Sequence, residues 1–297
     1  MDAAAYINEP VRSAVLIPSV INPYVAETPG PMINHDFLTP ETLFFVWNHG
    51  PVPKIDPLYW SLKVEGECYN PREYDLDKLN WHYTEIVATL SCALNRSRDY
   101  DNHSPITGPV MGPGAIGNAR WGGIPLKYIL DDVLPWDIDD LHVEFIGADV
   151  VDATKKNYIV SLPLHDIENK HVLLAWNMNG QPLTQDHGFP LWVIAPGFIG
   201  AKSVKWLTKI VIWKKESMSY HQQEEFTLFN PIDKPLAARS KNEKLLSLLY
   251  PNLNAVITNV QNYDTFKYWE PLTLWGYAFT GWGNPVKRVE ITLDGGQ

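Results

Sequence analysis

The sequence predicts an α+β fold in two parts, a large mixed-sheet domain and a shorter piece built of strands alone. Three observations carry that expectation. Strand-like and helix-like segments interleave irregularly, without the regular beat of a doubly wound parallel sheet. Twenty-four prolines, 19 glycines and 12 tryptophans are spread over 297 residues, which describes many turns and few long helices. A charged, polar stretch then separates most of the chain from three alternating segments near its C-terminal end.

Taken in order, Leu43 to Val52 reads as a strand closed by a turn, and Trp60 to Gly66 alternates as a half-buried strand does. Leu126 to Val133 has helical spacing, with apolar side chains three and four apart, while His142 to Gly147 and Val172 to Met178 read as buried strands. Residues 1–220 therefore form the first domain. From Ser217 to Leu245, Gln, Glu, Lys and Asn replace the apolar runs, which places a linker at 221–245. Ala255–Val260, Leu272–Ala278 and Val286–Leu293 follow, alternating and separated by turn residues, like the opening strands of an immunoglobulin-like sandwich. Such a sandwich takes about 100 residues, so 246–297 is expected to be an incomplete one, completed by further sequence or by another chain.

Composition excludes several classes of function. A formal charge of −10 with no basic stripe leaves nothing to neutralise nucleic-acid phosphates. No apolar run nears the roughly 18 residues of a membrane span, and the first ten residues lack the basic and apolar regions of a secretory signal. With only Cys68 and Cys92, a disulfide framework is excluded. The chain reads as soluble and intracellular, in the cytoplasm or an organelle such as the peroxisome or mitochondrion.

Cys92 follows a strand-like run and precedes a polar turn, in Ala88-Thr-Leu-Ser-Cys-Ala-Leu-Asn-Arg96. A thiol there is either a buried structural side chain or a soft-metal ligand. Three further stretches bear on the choice: Phe44-Phe-Val-Trp-Asn-His49, Gly114-Ala-Ile-Gly-Asn-Ala-Arg-Trp121, and Met178 to Pro190 (containing Asp186-His-Gly-Phe-Pro190) running on to Pro196 to Trp206. In order and spacing, from about Asn22 onward, these motifs resemble the molybdopterin domain of the sulfite oxidase and eukaryotic nitrate reductase family. The closing Gly276-Tyr-Ala-Phe-Thr-Gly281 and Arg288 to Gly296 resemble the start of that family's dimerisation domain. The fold expected is thus a sulfite oxidase-type molybdopterin-binding domain followed by an incomplete immunoglobulin-like sandwich.

The resemblance implies that Cys92 ligates molybdenum, the dithiolene of one pyranopterin and oxo groups supplying the rest. It implies cofactor contacts from Phe45, Val46, Trp47, Asn48 and His49, and from Asp149, His187, Trp192, Lys202, Ser203, Val204 and Lys205. A pterin edge needs a fixed array of donors and acceptors, and its phosphate suits lysine, histidine or backbone N–H. Outside that context His49 and His187 would be satisfied loop histidines, and Lys202 and Lys205 ordinary solvated charges. The resemblance further implies a small-molecule substrate, an external electron acceptor or dioxygen, no haem or flavin in this chain, and a homodimer once the C-terminal domain is complete.

The chain departs from the family around the substrate. Trp47 and Ser97 stand where the family has arginine, Met111 replaces a pocket tryptophan, and Trp176 aligns with a pocket tyrosine. Asn284 replaces the arginine of the dimerisation domain, and Trp192 replaces an arginine that faces the cofactor. Each arginine–oxyanion hydrogen bond contributes about 1.5–3 kcal/mol, so losing three disfavours sulfite and nitrate alike. Expected pocket residues are Trp47, Arg96, Ser97, Met111, Trp176 and Asn284, with Cys92, Trp176 and Arg96 as the catalytic set. Three readings stand: oxygen-atom transfer to or from an altered, less charged substrate; ordinary sulfite chemistry with Arg98 or Arg120 compensating; or a cofactor-binding relative without turnover.

Overall fold

A computed structural model of the chain describes residues 3–106, 108–134, 140–228, 245–261 and 263–296. Two five-stranded sheets dominate. In the first, Thr84–Ser91, Ile116–Pro125 and Leu173–Met178 run antiparallel in that order, and Gln181–Pro182 and Trp192–Ile194 both pair with the last of them. The second runs Arg72–Tyr74, Leu62–Gly66, Leu207–Trp213, His142–Val150, Asn157–Pro163. Its Leu62–Gly66 and Leu207–Trp213 pair is parallel while its other pairs are antiparallel, which makes the sheet mixed, as expected. A smaller sheet of Ile17–Val20, Val25–Glu27 and Val46–Trp47 lies in the N-terminal part.

Leu126–Val133 is helical as its spacing predicts. Leu126, Ile129, Leu130 and Val133 are all buried, and Lys127 and Asp131 pair at 2.9 Å on the outer face. Its apolar stripe joins the large core formed with the inner faces of the mixed sheet, including Leu62, Val143, Phe145, Val160 and Ile210. Full burial of each such side chain contributes about 1.5–3 kcal/mol. A second core gathers Phe44, Phe45, Leu90, Trp121, Met178 and Trp192 on the antiparallel sheet.

Three segments differ from the sequence expectation. Of Leu43 to Val52, only Val46–Trp47 is strand; Glu41–Leu43 forms a 3-10 turn, and Pro51 and Pro53 supply no N–H for further pairing. Of the segment read as a linker, 229–244 lies outside the described residues. Its beginning, however, is a π-helical turn, His221–Glu225, with His221 and Gln222 buried, followed by Thr227–Leu228 pairing with Leu246–Ser247. Polar composition misled there because Gln222 is buried with its amide satisfied: its Oε1 accepts from Ser161 N (3.1 Å) and Lys202 Nζ (2.6 Å).

In the C-terminal part Asn254–Ile257 pairs with Gly276–Phe279. Val286–Leu293 forms no strand, and its alternating Val289, Ile291 and Leu293 are exposed, since no described strand pairs with it. The paired strands dock on the Cys92 loop: Tyr277 Oη accepts from Asn95 Nδ2 and donates to Pro113 O, both at 2.8 Å. Among the described residues no helix is long and apolar enough to cross a membrane.

Candidate active site

A cavity of about 400 Å³ is walled by elements of both large sheets. Cys92 enters it directly after Thr84–Ser91, Asp149 and Tyr158 come from two strands of the mixed sheet, and Trp192 opens the short strand Trp192–Ile194. The backbone at Cys92 is pinned, its N–H donating to Ala115 O at 2.9 Å. The loop that supplies that acceptor turns at Gly114, where an added Cβ would lie 1.8 Å from Thr28 O, so only glycine fits.

Strand-like alternation sorts the expected cofactor residues into two groups. Phe45, Trp47 and His49 line the cavity, whereas Val46 packs away from it with Leu16, Tyr24 and Ala26. Asn48 lies behind the wall, its Nδ2 donating to Asp186 Oδ1 (3.0 Å) and its Oδ1 accepting from Lys205 Nζ. Ser203 and Lys205 likewise line the cavity, while Val204 joins the large core. Lys202 is fully buried on the far side, where Nζ donates to Gln222 Oε1 and to Ser247 Oγ (3.3 Å). Burial pulls its ammonium down to about 7, against Glu216, which raises it.

Of the residues expected around the substrate, only Trp47 lines the cavity. Trp176 sits at a bulge between Ala175 and Asn177, packs beside Tyr83 on the large core, and does not line this cavity. Arg96 turns outward in the left-handed region (φ 67°), bonding Asp99, Asn254 Oδ1 (3.0 Å) and Ala255 O (2.7 Å). Ser97 Oγ accepts from Met111 N at 2.9 Å, and buried Met111 backs Trp47, Cys92 and Leu94 from behind. Asn284 is exposed. Neither compensating arginine moves in: Arg98 pairs with Glu27 (3.3 Å) and Arg120 with Glu85 (3.7 Å).

The electrostatics of the wall follow from burial. His49, stacked on Tyr158 with ring centroids 4.5 Å apart, is held neutral, its pKa lowered to about 3 by burial, His221 and Lys205. His187 is lowered to about 4 by burial and Lys205; its Nδ1 meets Thr184 Oγ1 at 2.8 Å. Burial raises the Asp149 carboxyl and lowers the Lys205 ammonium, and each partly holds the other back. Burial would raise Asp186 too, but paired hydrogen bonds from Arg12, with Lys205 and Asn48 nearby, keep it below the usual carboxylate range. Cys92 is pushed up to about 12 by burial, and Glu225 adds to the rise. A thiol so raised stays protonated at neutral pH unless a metal takes the proton's place.

Sequence reasoning missed Arg12, Tyr158, Asp186, Glu225 and Phe226. Asp186 lies inside a quoted motif and could have been found there. Glu225, whose carboxyl burial raises to about 7, and Phe226 sit in the stretch set aside as linker, and both line the cavity. Arg12 and Tyr158 carry no local signal.

The family model described as the oxidoreductase molybdopterin binding domain matches residues 49–221, and that of the Mo-co oxidoreductase dimerisation domain matches 248–297. The chain belongs to the molybdopterin-binding oxidoreductase family. It is similar to the mitochondrial sulfite oxidase of Drosophila melanogaster (36% identity, 97% of this chain, 51% of that protein). It is also similar to an NADH nitrate reductase of Phaseolus vulgaris (34%, 93% of this chain, 33% of that protein). The chain thus spans about half the length of such sulfite oxidases and a third of the nitrate reductase. Among solved structures, the sulfane dehydrogenase SoxCD of Paracoccus pantotrophus shares the fold, with a TM-score of 0.67 at 21% identity over 86% of this chain and 59% of that one.

The cavity fits the cofactor of this molybdopterin-binding family. His49 and His187 both line it, and their buried Nε2 atoms have no hydrogen-bond partner. Each such orphan costs about 1–3 kcal/mol until a ligand satisfies it. Among the described residues no three His, Cys, Asp or Glu side chains converge as a metal site. A metal at Cys92 would fit a bound group that brings further ligands of its own, as a dithiolene does.

Proposed function

We propose that this chain is a molybdopterin-dependent oxidoreductase of sulfite oxidase type whose substrate is neutral or weakly charged rather than a dianion. The observation that carries the substrate reading is the charge of the wall. Among the described residues no arginine lines the cavity, and the lysine that does, Lys205, would serve the cofactor phosphate rather than the substrate. Asp149, Asp186 and Glu225 line the same cavity. Trp47, Leu94, Pro109, Phe226 and Leu248 give it an aromatic and aliphatic part that excludes water but cannot neutralise a dianion.

When bound, the molybdenum centre supplies two-electron oxygen-atom transfer. The balance is substrate plus water giving oxygenated substrate, two protons and two electrons, or the reverse, with the electrons exchanged with an external carrier or dioxygen. Cys92 would hold the metal. His49, Asp149, His187, Ser203 and Lys205 would hold the pterin and its phosphate, with Trp192 against it. Glu225 is placed to accept a proton near neutral pH, since burial has moved its carboxyl to about 7. The dimerisation-domain match at 248–297 supports a homodimer.

The test is to purify the chain from a cofactor-supplying host, measure molybdenum per chain, and compare sulfite with neutral sulfoxides and N-oxides as redox partners of the centre. Faster reaction with the neutral compounds is expected. Sulfite as the best partner would overturn the substrate reading, and a loaded centre inert to every partner would favour a relative without turnover.

A further inference from the structure

Among the described residues Lys205 is the Lys or Arg that lines the cavity, and its availability to an anionic group depends on what else competes for it. Among the described residues its hydrogen-bond acceptors are uncharged oxygens, Asn48 Oδ1 and the main-chain oxygen of Asp186 (2.9 Å). The Asp186 carboxylate belongs to the same residue, yet Lys205 does not bond it. That carboxylate is occupied: Arg12 Nε donates to Oδ2 and Arg12 Nη2 to Oδ1, both at 2.8 Å, and Asn48 Nδ2 donates to Oδ1 at 3.0 Å. Two-point guanidinium pairing is the strongest way to saturate a carboxylate.

Arg12 lies 174 residues from Asp186 in sequence and outside the segment matched by the family model, 49–221. The arm that carries it is fastened independently. Tyr6 Oη donates to Asp152 Oδ2 at 2.5 Å, Glu9 Oε1 accepts from Val52 N at 2.9 Å while Glu9 Oε2 meets Arg12 Nη2, and the guanidinium carbon stands 4.1 Å above the Tyr24 ring. Arg12 and Asp186 side chains are 13% and 8% exposed, so water screens the pair little. The other carboxyls that act on Lys205 are Asp149, whose ionisation burial opposes, and, more weakly, Glu9, which is itself paired with Arg12.

We propose that Arg12 is a positioning residue for the cofactor: by holding the Asp186 carboxylate in a two-point pair, it keeps Lys205 free to meet an anionic group, of phosphate type, in the cavity. The inference rests on the cofactor reading above. Without Arg12, the unpaired carboxylate becomes the strongest acceptor within reach of Lys205, and the ammonium is drawn out of the cavity wall.

The test measures molybdenum and pterin per chain, not turnover, in wild type, Arg12→Met, Asp186→Asn and the double variant, all made under limiting cofactor supply. Arg12→Met should lose about tenfold to a hundredfold in loading, the usual effect of removing a partner that orients a ligand. The double variant should recover to within about threefold of wild type, because no carboxylate then competes for Lys205. Equal loading of Arg12→Met and wild type would overturn the inference. So would a double variant as empty as Arg12→Met, since a merely structural arm would come loose in both. A wild-type chain that takes up no molybdenum would instead sink the cofactor reading itself, and the inference with it.

Discussion

Two neighbourhoods of one cavity are built on opposite principles. Around Lys205 the polar groups brace one another, Arg12 on Asp186, Asn48 between Asp186 and Lys205, Thr184 on His187, and leave the Nε2 atoms of His49 and His187 open toward the cavity. Around Cys92 the contacts are apolar, with Trp47, Leu94 and Met111 packed together and the thiol accepting only from Leu94 N at 3.4 Å. A braced polar network with a few open atoms fixes a ligand of defined donors, acceptors and charge. An apolar surround fixes little beyond size and polarity. On the proposed reading, the first neighbourhood would hold the pterin and its phosphate, while the polarity of the second would set which substrate reaches Cys92.

Breaking the comparison at its centre should have the largest effect. Cys92→Ser should bring turnover to background, read as initial rate per bound pterin, while the apo-protein loses under about 1.5 kcal/mol in chemical denaturation, since the swap is nearly isosteric. Activity surviving in that variant would mean the metal is held elsewhere. Next, Lys205→Met should lower cofactor loading by about a hundredfold and destabilise the apo-protein by about 1–3 kcal/mol, because Asn48 Oδ1 and Asp186 O lose their shared donor.

The apolar neighbourhood is sharpened by restoring a cation. Trp47→Arg should tighten sulfite binding by about tenfold to a hundredfold, matching one charge-assisted bond of roughly 1.5–3 kcal/mol. Trp176→Phe, on the other face of its sheet, should leave KM within about twofold; a larger change would place Trp176 back in the pocket. The smallest effect concerns pH. His187 titrates near 4 in the folded protein, lowered from 6.5, so below 6.5 the unfolded chain binds a proton that the folded one refuses. Its contribution to stability is present above 6.5 and is lost as pH falls toward 4. In urea melts of the apo-protein, His187→Gln should therefore reduce the acid loss by about 1.4 kcal/mol per pH unit in that window.

Much of this could be read from particular residues. The 3-4 spacing of Leu126, Ile129, Leu130 and Val133 set a helix that its own pattern specifies. The position of Cys92 at the end of an alternating strand was also local. Other expectations failed where a neighbour distant in sequence decides. Lys202 and Lys205 are three residues apart and chemically alike, yet one is clipped to Gln222 and Ser247 behind the wall and the other lines it. Val286–Leu293 alternates as a strand should and pairs with no described segment, since alternation supplies a face and not a neighbour.

By itself, then, the sequence determined the family, the mixed α+β architecture and the thiol at the centre, because these rest on short motifs and on periods of two and 3.6 residues. Tertiary structure alone decided that Arg12 holds Asp186, that Tyr158 stacks on His49, and that Glu225 and Phe226 leave a polar stretch to wall the cavity. Those contacts join segments far apart in the chain, and the burial that shifts their charges exists only once both sheets have closed around them.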